Sequence, residues 1–192
     1  MDLLLAKDQI AMTVDRLASK VSHDYRMDST PVMLGVLSGA FIFMADLVRQ
    51  MTIDVDVDFI KASSYVGTQS SGTVSIEDTY TRSLSGVPVI VVDDVLDSGR
   101  TPSALFDRLS PQTHSMSLVC LLRKPSAVTL TRAWRRVYIG HDIGPAFVYG
   151  YGMDLDGRAR QHASVYVMAT HQLHPLTGVS SGNPTVCERQ SR

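Results

Sequence analysis

Cysteine is scarce in this chain: 192 residues hold two, Cys120 and Cys187. They form no CxxC pair and no evenly spaced set, which excludes a disulfide framework and a thiolate metal site of the usual spacing. Cys120 sits in the apolar run Leu118-Val119-Cys120-Leu121-Leu122 and reads as a buried core thiol. The expected compartment is the reducing cytoplasm. Charge of one sign is equally lacking, with 18 basic against 19 acidic residues and a net charge of −1. That offers no general attraction to nucleic acid or an anionic membrane, and neither is expected as a partner. No apolar run approaches the roughly 20 residues of a membrane span. At the start, Met1-Asp2-Leu3-Leu4-Leu5 has an acid where a signal peptide carries positive charge, and Lys7 and Asp8 follow at once.

What is present is a chain 44% hydrophobic and long enough for one α/β domain with a sizeable core. Its organising stretch is Val89 to Thr101. Val89-Ile90-Val91-Val92 reads as a strand buried on both faces of a parallel sheet. Asp93 and Asp94 lie near its carboxyl end. The short loop Asp97-Ser98-Gly99-Arg100-Thr101 leads into Pro102, which suits a first helical turn, and into a helical pattern ending at Leu109. Strand, small polar loop and helix start together make an anion cradle, because free N–H groups and the helix dipole both favour negative charge there. Carboxylates beside a phosphate call for compensation by Mg²⁺ or by hydroxyls that donate hydrogen bonds. A phosphorylated ribose, with its metal, supplies both.

The other segments read as alternating helices and strands. Ile10, Val14, Leu17 and Val21 give residues 1 to 25 the spacing of an amphipathic helix. Residues 31 to 37 form a buried strand, Ser38 and Gly39 a junction, and residues 40 to 51 a helix. From Ile53 to Ile60 apolar residues alternate with Asp54, Asp56 and Asp58, which predicts a strand with a solvated or subunit-facing acidic edge. Lys61 to Glu77, with Gly67, Gly72 and several small polar residues, reads as a mobile lid able to exclude water. Further strands are expected at 115–122, 136–141 and 164–169. Lys124 follows the first of these, at the carboxyl edge where open parallel sheets bind ligands. Phe147 to Asp154 is aromatic and Gly-rich, offering a flat apolar wall and exposed backbone groups. From His171 onward the chain is polar and expected to be disordered; His171 and His174 have loose ligand spacing without evident partners.

The run Val91 to Thr101 resembles the phosphoribosyl-pyrophosphate (PRPP) motif of the type I phosphoribosyltransferases, and the other segments resemble their hypoxanthine-guanine branch. The likeness covers roughly residues 5 to 170. It implies a central, mostly parallel sheet flanked by helices, with a small hood and a flexible catalytic loop, in one domain over 1–170 with 171–192 as a tail. The implied reaction joins a purine base to PRPP with Mg²⁺, releasing pyrophosphate.

The residue roles come from the same resemblance. Asp93 and Asp94 would hold the ribose hydroxyls and help place Mg²⁺, and the loop from Asp97 through Ser98, Gly99 and Arg100 to Thr101 would hold the 5′-phosphate. Asp97 would be the general base at purine N7. Leu37, Ser38 and Gly39 would cup pyrophosphate, with Ser38 where the family often carries Lys or Arg. Ser64 and Tyr65 match the pair in the closing loop. Lys124 would donate to the 6-oxo group, Phe147 would stack on the base, and the Val148 backbone would read the base edge. Asp154 would help hold a second Mg²⁺ and Arg160 would contact pyrophosphate. A homodimer or homotetramer is the family habit. The wording Asp93-Asp94-Val95-Leu96 before Gly99-Arg100-Thr101 also resembles the pyrimidine-operon regulators, which bind RNA and have uracil phosphoribosyltransferase activity. That is the alternative reading.

Overall fold

The computed structural model describes residues 2–64, 74–125 and 130–168, with nothing further described of the Ser64 side chain. Its elements in chain order are β1 (Asp2–Leu5), α1 (Lys7–Tyr25), β2 (Val32–Leu37), α2 (Phe41–Arg49), β3 (Asp56–Ser64), β4 (Val74–Glu77), β5 (Pro88–Leu96), α3 (Arg100–Leu109), β6 (Ser115–Arg123), β7 (Arg136–Asp142), β8 (Val148–Tyr149) and β9 (Val165–Val167). Six strands make one sheet in the order β4-β3-β2-β5-β6-β7. All its pairings are parallel except the edge hairpin β3–β4. The expected mostly parallel sheet flanked by helices is therefore present.

The two-residue period of the strands divides the core into two layers. Val89 and Val91 of β5, Leu118 and Cys120 of β6, and Leu34 of β2 pack with Leu105 and Leu109 of α3 on one face. Ile90, Val92, Val119 and Leu121 point the other way, onto Ile10, Val14, Leu17 and Val21 of α1 and Phe43, Met44 and Leu47 of α2. The amphipathic residues of the first helix are thus its buried face. The same cluster takes in Leu5, Val148, Tyr151, Met153 and Val165, so the hood shares its core with α1 and α2, and a cavity of about 460 Å³ lined by Ile10, Ile42, Asp46, Tyr151 and His162 opens between them. This hood is the antiparallel sheet β1-β9-β8.

Three local expectations change. Residues 2–5 are a strand of the hood, not the start of α1. Leu3-Leu4-Leu5 is too short to show a period, and its partner β9 lies some 160 residues downstream. The acidic strand is not an edge: β3 runs between β2 and β4. Asp58 is buried, because its carboxylate accepts hydrogen bonds from the backbone N–H groups of Phe59, Thr81 and Arg82. Asp56 is ion-paired to Arg82. These acids fasten Thr81 and Arg82 against β3, while Val57 takes the exposed position. Finally, Lys61–Ser64 and Val74–Glu77 pair as a hairpin within the expected lid, closed on its outer face by the Lys61–Glu77 ion pair. The remainder of the lid, with Tyr65, and the polar tail from His171 lie outside the described residues. Among the described residues, no helix is long and apolar enough to cross a membrane.

Candidate active site

The carboxyl ends of β5 and β6 deliver the central side chains. Parallel pairing with Asp93 opposite Cys120 and Leu96 opposite Arg123 carries both strands to the same level. Beyond them the chains stay together, as the Lys124 N–H donates to the Leu96 carbonyl at 2.9 Å. This brings Lys124 Nζ within 2.8 Å of Asp97 Oδ2. The pair is asymmetric in solvent: the lysine side chain is 11% exposed and the aspartate 55%.

Both residues face a cavity of about 220 Å³ that is also lined by Asp94, Val95, Phe147, Val148, Met153 and Asp154. Six expected site residues thus converge on one space: Asp94, Asp97, Lys124, Phe147, Val148 and Asp154. Phe147 is 52% exposed, an unusual state for a large aromatic, and its ring forms part of the cavity wall. The volume is below the ~300–1,000 Å³ of most ligand pockets and suits a flat base better than a whole nucleotide. Sequence reasoning missed Val95 and Met153. Neither carries chemistry, and an apolar lining residue looks like any core residue in sequence.

The phosphate loop lies beside this cavity. Gly99 caps α3 with φ 75°, a left-handed conformation that a residue with a Cβ adopts at a cost. Having no side chain, it leaves the first N–H groups of the helix, those of Arg100 and Thr101, without a capping partner; Pro102 has none to satisfy. Ser98 and Arg100 are exposed around this turn. Free donors at a helix start suit a phosphate.

The junction Leu37-Ser38-Gly39 contains a cis peptide between Leu37 and Ser38. A Cβ on Gly39 would collide with the Asp94 carboxylate. Similarly, a Cβ on Gly152 would collide with the Gly39 carbonyl. The close approach at Gly39 is therefore made by the protein's own acid and hood. Arg160 does not stand free: it donates to the Gly152 carbonyl at 2.7 Å and is paired with Asp154 at 2.9 Å.

Asp93 is buried next to Asp94, whose backbone N–H it accepts at 3.0 Å. Burial, then the neighbouring Asp94 charge, pushes its carboxyl well above the usual carboxylate range. Among the described residues neither acid has an ion-pair partner, so this corner calls for a cation or a shared proton. Among the described residues no three metal-ligating side chains converge. Mg²⁺ needs only one or two carboxylates, completing its shell with water and substrate phosphate, so Asp94 and, across the cavity, Asp154 fit it, with Asp93 buried beside Asp94 and not among the cavity's lining residues.

Comparisons with known proteins identify the family and the fold. A model of the phosphoribosyl transferase domain matches residues 2–154. The hypoxanthine-guanine phosphoribosyltransferase of Mycobacterium tuberculosis (strain CDC 1551 / Oshkosh) is 38% identical over 165 residues, covering 82% of this chain and 81% of its own. A crystal structure of a hypoxanthine-guanine phosphoribosyltransferase from Bacillus anthracis matches with a TM-score of 0.78 at 31% identity, over 88% of this chain and 98% of that one. The hypoxanthine phosphoribosyltransferase of Trypanosoma cruzi, in complex with its product IMP, matches with a TM-score of 0.77 at 28% identity, over 88% and 95% of the two chains.

Proposed function

The chain belongs to the phosphoribosyl transferase family, and we propose that it is a purine salvage enzyme converting hypoxanthine, and guanine, with PRPP to IMP and GMP plus pyrophosphate. The observation that carries this reading is the Lys124–Asp97 pair facing the wall formed by Phe147. A 6-oxopurine presents an acceptor, O6, beside a donor, N7–H. A fixed donor and acceptor 2.8 Å apart are complementary to that edge. Adenine, with an amino group at the same place, would set donor against donor and leave buried groups unpaired. The identity of the relatives likewise does not favour the pyrimidine-operon regulator.

In this mechanism the purine stacks on Phe147 and its N9 bonds to the anomeric carbon of PRPP while the carbon–oxygen bond to pyrophosphate breaks. The N7 proton passes to Asp97. Lys124 donates to O6 as negative charge builds on the base, and the Val148 backbone reads the base edge. The loop Asp97–Thr101 holds the 5′-phosphate on the uncapped start of α3, and Asp93 and Asp94 accept from the ribose hydroxyls. The reaction has little covalent chemistry for the protein to do, so positioning and electrostatics supply most of the acceleration. Asp93, Asp94 and Asp154 would hold Mg²⁺, which when bound would supply positive charge against the pyrophosphate. Leu37, Ser38 and Gly39 offer backbone donors to pyrophosphate, which Arg160 also meets, while the roles of Ser64 and Tyr65 rest on the family resemblance alone. The protein works as a homo-oligomer, a proposal supported by the exposed Phe41 and Val57 and checked by sedimentation.

The test is chromatographic. Hypoxanthine, PRPP and Mg²⁺ incubated with the protein should yield IMP and pyrophosphate in equal amounts, and EDTA should abolish the yield. No IMP under these conditions overturns the proposal.

A further inference from the structure

Tyr151 stands between two glycines in a run of three left-handed residues, with φ values of 92° at Gly150, 50° at Tyr151 and 99° at Gly152. A tyrosine in that region is strained, and the surrounding structure has to hold it. It is held on both sides. Its N–H donates to the His162 carbonyl at 2.8 Å, and the next N–H, of Gly152, donates to the Arg160 carbonyl at 3.0 Å. Its ring is 5% exposed, and its hydroxyl donates to Asp46 Oδ2 at 2.6 Å. The other oxygen of Asp46 is ion-paired to Arg49.

The placement matters because of what each partner carries. Asp46 lies on α2, which starts two residues after Gly39. Tyr151 is followed by Gly152, which packs on the Gly39 carbonyl, and by Met153 and Asp154, which line the base cavity. One hydrogen bond thus joins the wall that takes the base to the helix that carries the pyrophosphate turn. Gly152 against Gly39 is a second contact between the same two segments.

We propose that Tyr151 and Asp46 are positioning residues that couple the base wall to the pyrophosphate turn, so that each substrate binds properly only while the two segments are locked together. Neither touches substrate. The inference rests on the reaction proposed above and adds to it a fixed relation between the two halves of the site.

The experiment varies hypoxanthine and PRPP together in steady state for the wild type, Tyr151→Phe, Asp46→Ala, Asp46→Asn and Arg49→Ala. Tyr151→Phe and Asp46→Ala are each expected to raise the KM for both substrates, lowering both kcat/KM values about 10-fold. Their thermal midpoints should fall by only about 2–4 °C, the scale of one lost hydrogen bond in a chain of this size. Asp46→Asn keeps an acceptor for the hydroxyl and should restore near wild-type kinetics, and Arg49→Ala should leave them unchanged. The double variant Tyr151→Phe/Asp46→Ala should be no worse than either single one, as for two ends of one bond. Kinetics within 2-fold of wild type in Tyr151→Phe, a change confined to the KM of one substrate, or additive losses in the double variant would overturn the inference. A wild type inactive on hypoxanthine would instead overturn the reaction itself, so the two failures are distinguishable.

Discussion

The Asp94 carboxylate lies directly against the α-carbon of Gly39, leaving no room for a methyl group. The backbone of Gly39 is not left-handed, so alanine is tolerable there in itself, and the three atoms nearest its methyl group would all belong to Asp94. Gly39→Ala should therefore fold but displace Asp94 from the cavity. A misplacement of about 1 Å can cost on the order of 100-fold. We expect kcat/KM for hypoxanthine to fall by about that factor with an unchanged circular dichroism spectrum; retention of activity within 3-fold would show that Asp94 need not sit where it does.

Lys124→Met removes the only side-chain donor proposed for O6. The preference for hypoxanthine over adenine, as a ratio of kcat/KM values, should drop about 10- to 100-fold. Asp97 is more than half exposed and regains water, so stability should change by less than about 1 kcal/mol. Steady-state kinetics on both bases and a urea titration read the two effects separately.

Phe147→Ala removes the stacking face and leaves the core untouched, since the ring is half exposed. The KM for the base should rise about 10-fold, in line with roughly 0.5–1.5 kcal/mol for an aromatic pair, while the KM for PRPP stays within 2-fold. An equal rise in both would place Phe147 outside the base subsite.

Asp58 gives a pH prediction. Burial opposes its charge, yet the N–H groups of Thr81, Phe59 and Arg82 outweigh that and hold its carboxyl below the usual range. A depressed folded value means stability that is present above the unfolded value of about 3.9 and lost as pH falls through the folded one. Asp58→Ala should cost about 1–3 kcal/mol at pH 7. The gap between variant and wild type should narrow below about pH 4, as followed by thermal unfolding across pH.

Much of this was legible in the sequence because the informative residues are local. The run from Val89 to Thr101 carries strand, acids, phosphate turn and helix start in one stretch, and Lys124 and Phe147 stand at positions where a side chain must meet a ligand. What escaped was non-local or looked ordinary. β1 is defined by a partner at the other end of the chain. The acids of β3 read as solvated because nothing in residues 53–60 announces that Thr81 and Arg82 will fold back to bind them. Tyr151 and Asp46 were hidden for the same reason: a hydrogen bond across 105 residues leaves no period in the chain.

The most direct measurement of the central claim is turnover of hypoxanthine, guanine, xanthine, adenine and uracil with PRPP and Mg²⁺, for the wild type and for Asp97→Asn. The account predicts turnover of 6-oxopurines far above that of adenine or uracil, and a loss of about 100-fold or more in the variant. Uracil turnover alone, or no turnover together with tight RNA binding, would contradict it.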